Sequence, residues 1–269
     1  MKHTFAKKSL GQNFLVDEKV IGKIVSAIAL TPRDTVIEIG PGRGALTEQL
    51  VESGANVIGI ELDRNLVPVL REQFSESPNF SVYEDDALEA NFKELLKRNV
   101  QPPATGGGSD VKLVANLPYY ISTAILQRLS EQRECFSSLV LMFQREVVDR
   151  ISAKPGDSDR GFLTVLVEAA FSVQRLFDVP PTAFEPQPKV WSSVVRLTAT
   201  TSVIEDEPRF RALVSSAFAQ KRKTIFNNLK DKYSAAQLAL ESSFVDPKRR
   251  AETLTLPEWI TLHNILRRI

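Results

Sequence analysis

Thr35-Val36-Ile37-Glu38-Ile39-Gly40-Pro41-Gly42-Arg43-Gly44 is a short apolar run that passes into three glycines at alternate positions. Such a run, bounded by turn formers, reads as a buried strand. Glycines directly behind it permit a tight turn and a close approach of backbone to a ligand. Upstream, Val20, Ile21, Ile24, Val25 and Ile28 recur at helical spacing, and downstream Gly44 to Ser53 reads as a helix. Further strands are predicted at 56–61, 80–83, 111–115 and 138–143, with helices at 66–74, 92–98 and 123–129 between them. Strands alternating with helices imply a mostly parallel sheet with right-handed crossovers. Beyond a helix at 163–171, the stretches 173–179 and 190–197 read as an antiparallel strand pair closing that sheet, separated by the proline-rich segment 180–188. From about Thr198 only helices are expected, at 206–218, 222–232, 234–241 and 256–268. The expected organisation is an α/β domain over 1–199 and a small all-α domain over 200–269.

The 269 residues are 43% hydrophobic and 25% charged, which fits a globular protein and excludes collagen-like or wholly disordered chains. A single cysteine, Cys135, permits no intrachain disulfide, and two histidines, His3 and His263, are too few for a usual Cys/His zinc cluster. Cys135, near a predicted helix end, reads as a packing residue, and both histidines as surface residues. No apolar run approaches the ~20 residues of a membrane span. The first eight residues lack the apolar core of a signal peptide, so a cytoplasmic protein is expected.

The net charge of +1 hides an asymmetry: residues 1–179 carry 20 basic and 24 acidic groups, and residues 180–269 carry 14 and 9. A basic C-terminal region points to a polyanionic partner. Lys221-Arg222-Lys223 and Lys248-Arg249-Arg250 are candidate phosphate contacts, as are Lys7 and Lys8 of the N-terminal arm.

Gly40 and Gly42 mark a nucleotide-containing cofactor, and Glu61, at the end of the next strand, is placed to accept hydrogen bonds from a ribose diol. The loop alone does not choose the cofactor, since Gly40-x-Gly42-x-x-Ala45 also meets a nicotinamide-dinucleotide fingerprint. Glu38 before the first glycine, placed to meet a cationic or amine-bearing group, and Asp86 after the third strand, placed to meet an exocyclic amine, suit an adenosine carrying an amino acid. That is S-adenosylmethionine. Asn116-Leu117-Pro118-Tyr119, directly after the strand at 111–115, is the most specific signal. The exocyclic nitrogen of adenine is a poor nucleophile because its lone pair is delocalised into the ring. An Asn side-chain oxygen and the Leu117 carbonyl, fixed by the following proline, can accept from that amine and favour the tetrahedral nitrogen. Tyr119 offers a face for stacking a base.

These segments, with Ser9-Leu10-Gly11-Gln12-Asn13-Phe14-Leu15, Phe184-Glu185-Pro186-Gln187-Pro188-Lys189-Val190 and Phe218-Ala219-Gln220-Lys221-Arg222-Lys223-Thr224, occur in the order found in ribosomal RNA adenine N6-dimethyltransferases. The chain resembles that family along essentially its whole length, most nearly the members acting on bacterial small-subunit (16S) rRNA. The resemblance implies a Rossmann-like class I S-adenosylmethionine-dependent methyltransferase sheet with an antiparallel final strand. It implies that Asn13, Leu15, Gly40, Glu61, Asp86 and Asn116 line the cofactor site. Asn116, Leu117 and Tyr119 would hold the target adenine, and Phe184 would stack on its other face. The implied reaction is N6,N6-dimethylation of two adjacent adenosines in a hairpin loop near the 3′ end of 16S rRNA, by a monomer acting on the small ribosomal subunit, with a role in subunit biogenesis. The chain departs from the family at Trp191, where an acidic residue is common, and in Gly106-Gly107-Gly108, which looks like an insertion.

Overall fold

The computed structural model describes residues 6–7, 10–100, 110–201 and 204–268. The glycine run at 106–108 lies outside them. The chain folds as two compact units, one made of 1–148 and 173–199, the other of 149–172 and 200–269. A single cut at 199 therefore differs from this division at 149–172, a stretch that groups with the C-terminal helices although its last two residues begin a strand of the sheet.

In the first unit a two-residue strand β1 (Phe14–Leu15) precedes helix α1 (Glu18–Ile28). There follow β2 (Thr35–Ile39), α2 (Ala45–Glu52), β3 (Asn56–Glu61), α3 (Val67–Gln73), β4 (Phe80–Glu84), α4 (Phe92–Asn99) and β5 (Val111–Asn116). Then come α5 (Ser122–Glu131), β6 (Ser138–Gln144) and α6 (Arg145–Ile151), within which the first unit gives way to the second. After α7 (Phe162–Ala170) the chain re-enters the sheet through β7 (Phe171–Val179), a two-residue strand β8 (Phe184–Glu185) and β9 (Ser192–Ala199).

Local chemistry explains these elements. The Asp17 carboxylate accepts from the Lys19 and Val20 amides and starts α1, whose Val20, Ile21, Ile24 and Ile28 form one buried face. Burying each such side chain contributes about 1.5–3 kcal/mol. The helix ends at Ala29, which takes a left-handed φ of 52°. All five residues of β2 are buried, as a central parallel strand covered on both faces requires.

The seven-stranded sheet runs β4-β3-β2-β5-β6-β9-β7. Strands β2 to β6 are mutually parallel, and β9 lies antiparallel to β6 with Gln144 opposite Ser192. From β2 the chain winds outward through β3 and β4, then returns to place β5 on the other side of β2. The order reverses between β2 and β5, and ligands of open α/β sheets bind beyond the carboxyl ends of the strands at such a point.

The second unit continues with α8 (Glu207–Ala217), α9 (Ile225–Leu229), α10 (Ala236–Ser242) and α11 (Leu256–Arg268). Val165 and Leu166 of α7 share one core with Phe210, Leu213, Trp259 and Leu262. Arg160, 1% exposed, ties the two segments of this unit, donating to the Glu168 carboxylate at 2.6 Å and to the Leu254 carbonyl at 3.2 Å. His263 corrects the expectation of a surface residue. It lies inside this core, 1% exposed, with Nε2 2.7 Å from the Glu205 carbonyl. His3 lies outside the described residues. Cys135 is half-buried in a short 3₁₀ turn, and burial raises its thiol pKa, as suits a packing residue. No described helix is long and apolar enough to cross a membrane.

Candidate active site

Strand register builds the site. Ile39 of β2 lies opposite Ile60 of β3 and Ala115 of β5, so the next residue on each strand (Gly40, Glu61 and Asn116) falls in one row at the carboxyl edge. Gly40 turns away with φ 69°, its amide donating to the Ile60 carbonyl at 2.8 Å. A Cβ at Gly40 would point into open space with no atom within 4 Å, so this backbone faces the cleft uncovered. The cleft gathers the glycine loop with Asn13, Leu15, Glu38, Glu61, Asp86, Asn116, Leu117, Tyr119 and Phe184.

Glu61 is buried and held at both oxygens. The Gly42 amide donates to Oε2 at 2.9 Å and the Asp63 amide to Oε1 at 2.8 Å. Burial raises its pKa, and those two amides partly oppose the rise. A carboxylate has about four acceptor positions, so two remain for a ligand. Asp86 is half-buried, and its Oδ1 accepts from the Leu88 amide at 2.9 Å.

Glu38 differs from its expected role of meeting an amine-bearing ligand directly. It is 1% exposed, and its Oε2 accepts from the Thr47 hydroxyl of α2 at 2.6 Å. Burial pushes its pKa up to about 7. A carboxyl with a raised folded-state pKa contributes most stability below its unfolded value near 4.5, and loses that contribution as pH rises through about 7. Replacing Glu38 with Gln is therefore expected to flatten the fall in stability between pH 4.5 and 7, a change on the order of a few kcal/mol. Urea melts at several pH values measure it, and parallel curves for variant and wild type would contradict the assignment.

Asn116 carries the most informative geometry. Its Nδ2 donates to the Asn13 carbonyl at 3.1 Å, which fixes the amide. Among the described residues Oδ1 takes no hydrogen bond, and the residue lines the cleft. Leu117 is buried and anchors the turn, and Pro118 has φ −58°. The Tyr119 hydroxyl is 2.9 Å from Ser192 Oγ, which pins the ring, and burial raises its pKa. Phe184 is 3% exposed and part of the unit's core, yet it also lines the cleft.

Sequence reading missed how the N-terminal arm is secured. β1 pairs with β8, Leu15 opposite Phe184 and Phe14 opposite Glu185. The Arg43 guanidinium sits 4.3 Å from the centre of the Phe14 ring, and a Cβ at Gly42 would lie 3.1 Å from that ring. Gln12 donates to Asp63 at 3.1 Å. Tyr120, 61% exposed at the cleft, was also missed. The dipeptide Tyr119-Tyr120 signals an aromatic turn but not which ring is tied down.

The expected phosphate contacts divide. Lys7 is corrected: its ammonium pairs with buried Asp63 at 2.6 Å, and Lys7 and Gln12 hold the Asp63 carboxyl below the usual range against the effect of burial. Arg249 is corrected as well. It clamps Glu258 at 2.5 and 3.2 Å and the Thr253 carbonyl at 2.7 Å. That bidentate pair lowers the Glu258 pKa and braces the first turn of α11, where Thr255 and Glu258 form a capping box. Lys221 donates to the Ser158 carbonyl. Arg222, Lys223 and Lys248 are exposed. Lys8 lies outside the described residues.

Residues 3–268 match the family model described as ribosomal RNA adenine dimethylase. The chain is 43% identical to ribosomal RNA small subunit methyltransferase A of Geobacter metallireducens, over 96% of this chain and 94% of that one. It is 42% identical to the protein of that name from Bacillus cytotoxicus, over 97% and 91%. Among solved structures it is similar to a dimethyladenosine transferase from Plasmodium falciparum (27% identity, TM-score 0.76, 93% of this chain and 95% of that one). It is also similar to the 23S rRNA methyltransferase ErmE (28% identity, TM-score 0.68, 95% and 100%).

Proposed function

This chain belongs to the ribosomal RNA adenine dimethylase family, and from that premise we propose that it uses S-adenosylmethionine to dimethylate N6 of two adjacent adenosines in a hairpin loop near the 3′ end of 16S rRNA. The substrate is the small ribosomal subunit, and the protein acts as a cytoplasmic monomer in subunit biogenesis. The single observation that carries the chemistry is Asn116, whose amide nitrogen is engaged by Asn13 while its oxygen remains available at the carboxyl edge.

The residues present fit the cofactor. The uncovered backbone at Gly40 leaves room for a ligand, the two remaining acceptor positions of Glu61 suit a ribose diol, and Asp86 lies at the next strand end. Asn13, Leu15 and Gly42 complete the cradle. S-adenosylmethionine supplies an electrophilic methyl group when bound. The protein's contribution is to position the amine and to stabilise charge on it. Asn116 Oδ1 and the Leu117 carbonyl accept from the adenine amine, draw its lone pair out of conjugation and stabilise the positive charge that grows on nitrogen. Tyr119 and Phe184 sandwich the extruded base. An arylammonium proton passes readily to water, so no side chain need serve as base.

Nucleoside mass spectrometry of RNA from undermethylated small and large subunits, incubated with the protein and methyl-labelled cofactor, tests the reading. Labelled N6,N6-dimethyladenosine in small-subunit RNA is expected. The likeness to ErmE makes large-subunit RNA the second reading, and label confined there would replace the first.

Lys221, Arg222 and Lys223 of the second unit are all exposed, and Arg222 and Lys223, which unlike Lys221 are not tied to the Ser158 carbonyl, are proposed to meet rRNA phosphates most directly. Reversing both charges is expected to weaken subunit binding and to lower the slope of log affinity against log salt by roughly two. Filter binding across a salt series reads both, and superimposable curves would remove these residues from the RNA contact.

A further inference from the structure

Trp191 is an indole 48% exposed, next to exposed Val190 and Lys189, in a chain whose other tryptophan, Trp259, is wholly buried. The loop that carries it, 186–191, is anchored at both ends on the cleft. Phe184, just before it, lines the cleft, and Ser192, just after it, holds the Tyr119 hydroxyl at 2.9 Å. The Trp191 carbonyl accepts from the Arg145 amide at 2.9 Å. With Ser192 opposite Gln144, the last residue of β6, Trp191 is fixed just past the carboxyl edge of the sheet, the edge on which Asn116 stands. Two strand spacings, about 10 Å, separate β5 from β9, and Trp191 lies level with Arg145, three residues or about 10 Å past the Met142 that pairs with Asn116, so the two backbones are about 14 Å apart.

A large apolar ring whose backbone is fixed at the edge that carries the cleft has no ring-stacking or cation–π partner among the described residues, and Lys189 beside it adds positive charge. We propose that Trp191 is a stacking platform for an unpaired nucleotide that flanks the target adenosine in the RNA loop. This rests on the rRNA methyltransferase reading and deepens it. Aromatic stacking accepts any base, so the platform steadies a splayed single strand rather than reading its sequence. It selects an open loop over a closed duplex.

Steady-state methylation of undermethylated small subunits tests this. Trp191→Ala is expected to raise KM for subunits by about five- to hundredfold, with kcat and the KM for S-adenosylmethionine near wild type. Trp191→Phe should restore most of the affinity, whereas Trp191→Leu, apolar without a ring, should not. Binding of a loop oligonucleotide should quench wild-type fluorescence, and the quench should vanish in Trp191→Phe. A Trp191→Ala enzyme with unchanged KM, or equal rescue by Leu and Phe, overturns the platform while leaving the activity intact. A wild-type protein that forms no dimethyladenosine overturns the underlying reading instead.

Discussion

Asn116→Ala is expected to lower turnover by roughly 10²- to 10³-fold, with the protein still folded and still binding cofactor. Removing one pre-aligned hydrogen-bonding group from a site of charge development typically has this cost. The substitution loses two things at once. The oxygen proposed to accept from the adenine amine is gone, and so is the donor that holds the Asn13 carbonyl at 3.1 Å. The second loss affects the arm and contributes about 0.5–1.5 kcal/mol, so it falls on cofactor affinity and stability rather than on chemistry. Asn116→Asp separates the two further. A carboxylate still accepts but cannot donate to Asn13, and the Asn13 carbonyl would face like-charged oxygen. Single-turnover methyl transfer with saturating cofactor is the decisive measurement. Product formation at the wild-type rate by Asn116→Ala would remove this residue from the role of amine acceptor.

Phe184→Ala is expected to fail differently, by unfolding as well as by losing activity. A ring 3% exposed within the core of the first unit costs about 3–5 kcal/mol on truncation to alanine, a large share of a typical total stability of about 5–15 kcal/mol. The family resemblance implies that Phe184 stacks on the target base, and its burial in the core adds a packing role that the sequence motif does not reveal. The ring is placed for both packing and the proposed stacking because β8 pairs with β1 and draws it under the arm while it still borders the cleft. Phe184→Leu keeps most of the volume, so destabilisation should stay near 1.5 kcal/mol. Loss of the stacking face should still cut kcat by about tenfold. Thermal melts and kinetics on the same samples distinguish the roles, and a stable Phe184→Leu enzyme at full speed would leave the ring a packing residue only.

The parallel strands were legible because each is an apolar run closed by turn formers, and the period of burial survives in one dimension. Gly40, Glu61 and Asn116 were legible for the same reason, since each directly follows or ends such a run. What sequence concealed is pairing. β1 and β8 have two residues each and join segments far apart in the chain, so neither leaves a periodic trace. Lys7 and Arg249 looked like free cations because a composition count registers charge but not the carboxylates of Asp63 and Glu258 that meet it. His263 did leave a signal. Trp259, Leu262, His263 and Leu266 recur at helical spacing on the buried face of α11, and the histidine's polarity outweighed its position. The strand predicted from Val190 starts two residues later, which leaves Val190 and Trp191 in water.

Val165 and Leu166 pack with Trp259 and Leu262, nearly a hundred residues farther along. During synthesis at about 5–20 residues per second, those aliphatic side chains emerge and then wait on the order of 5–20 s for their partners to leave the exit tunnel. The sheet, lacking only β7 and β9, is translated before that interval begins. A nascent chain stalled near residue 250 would display a sticky, half-built helical face, a natural substrate for a holdase chaperone.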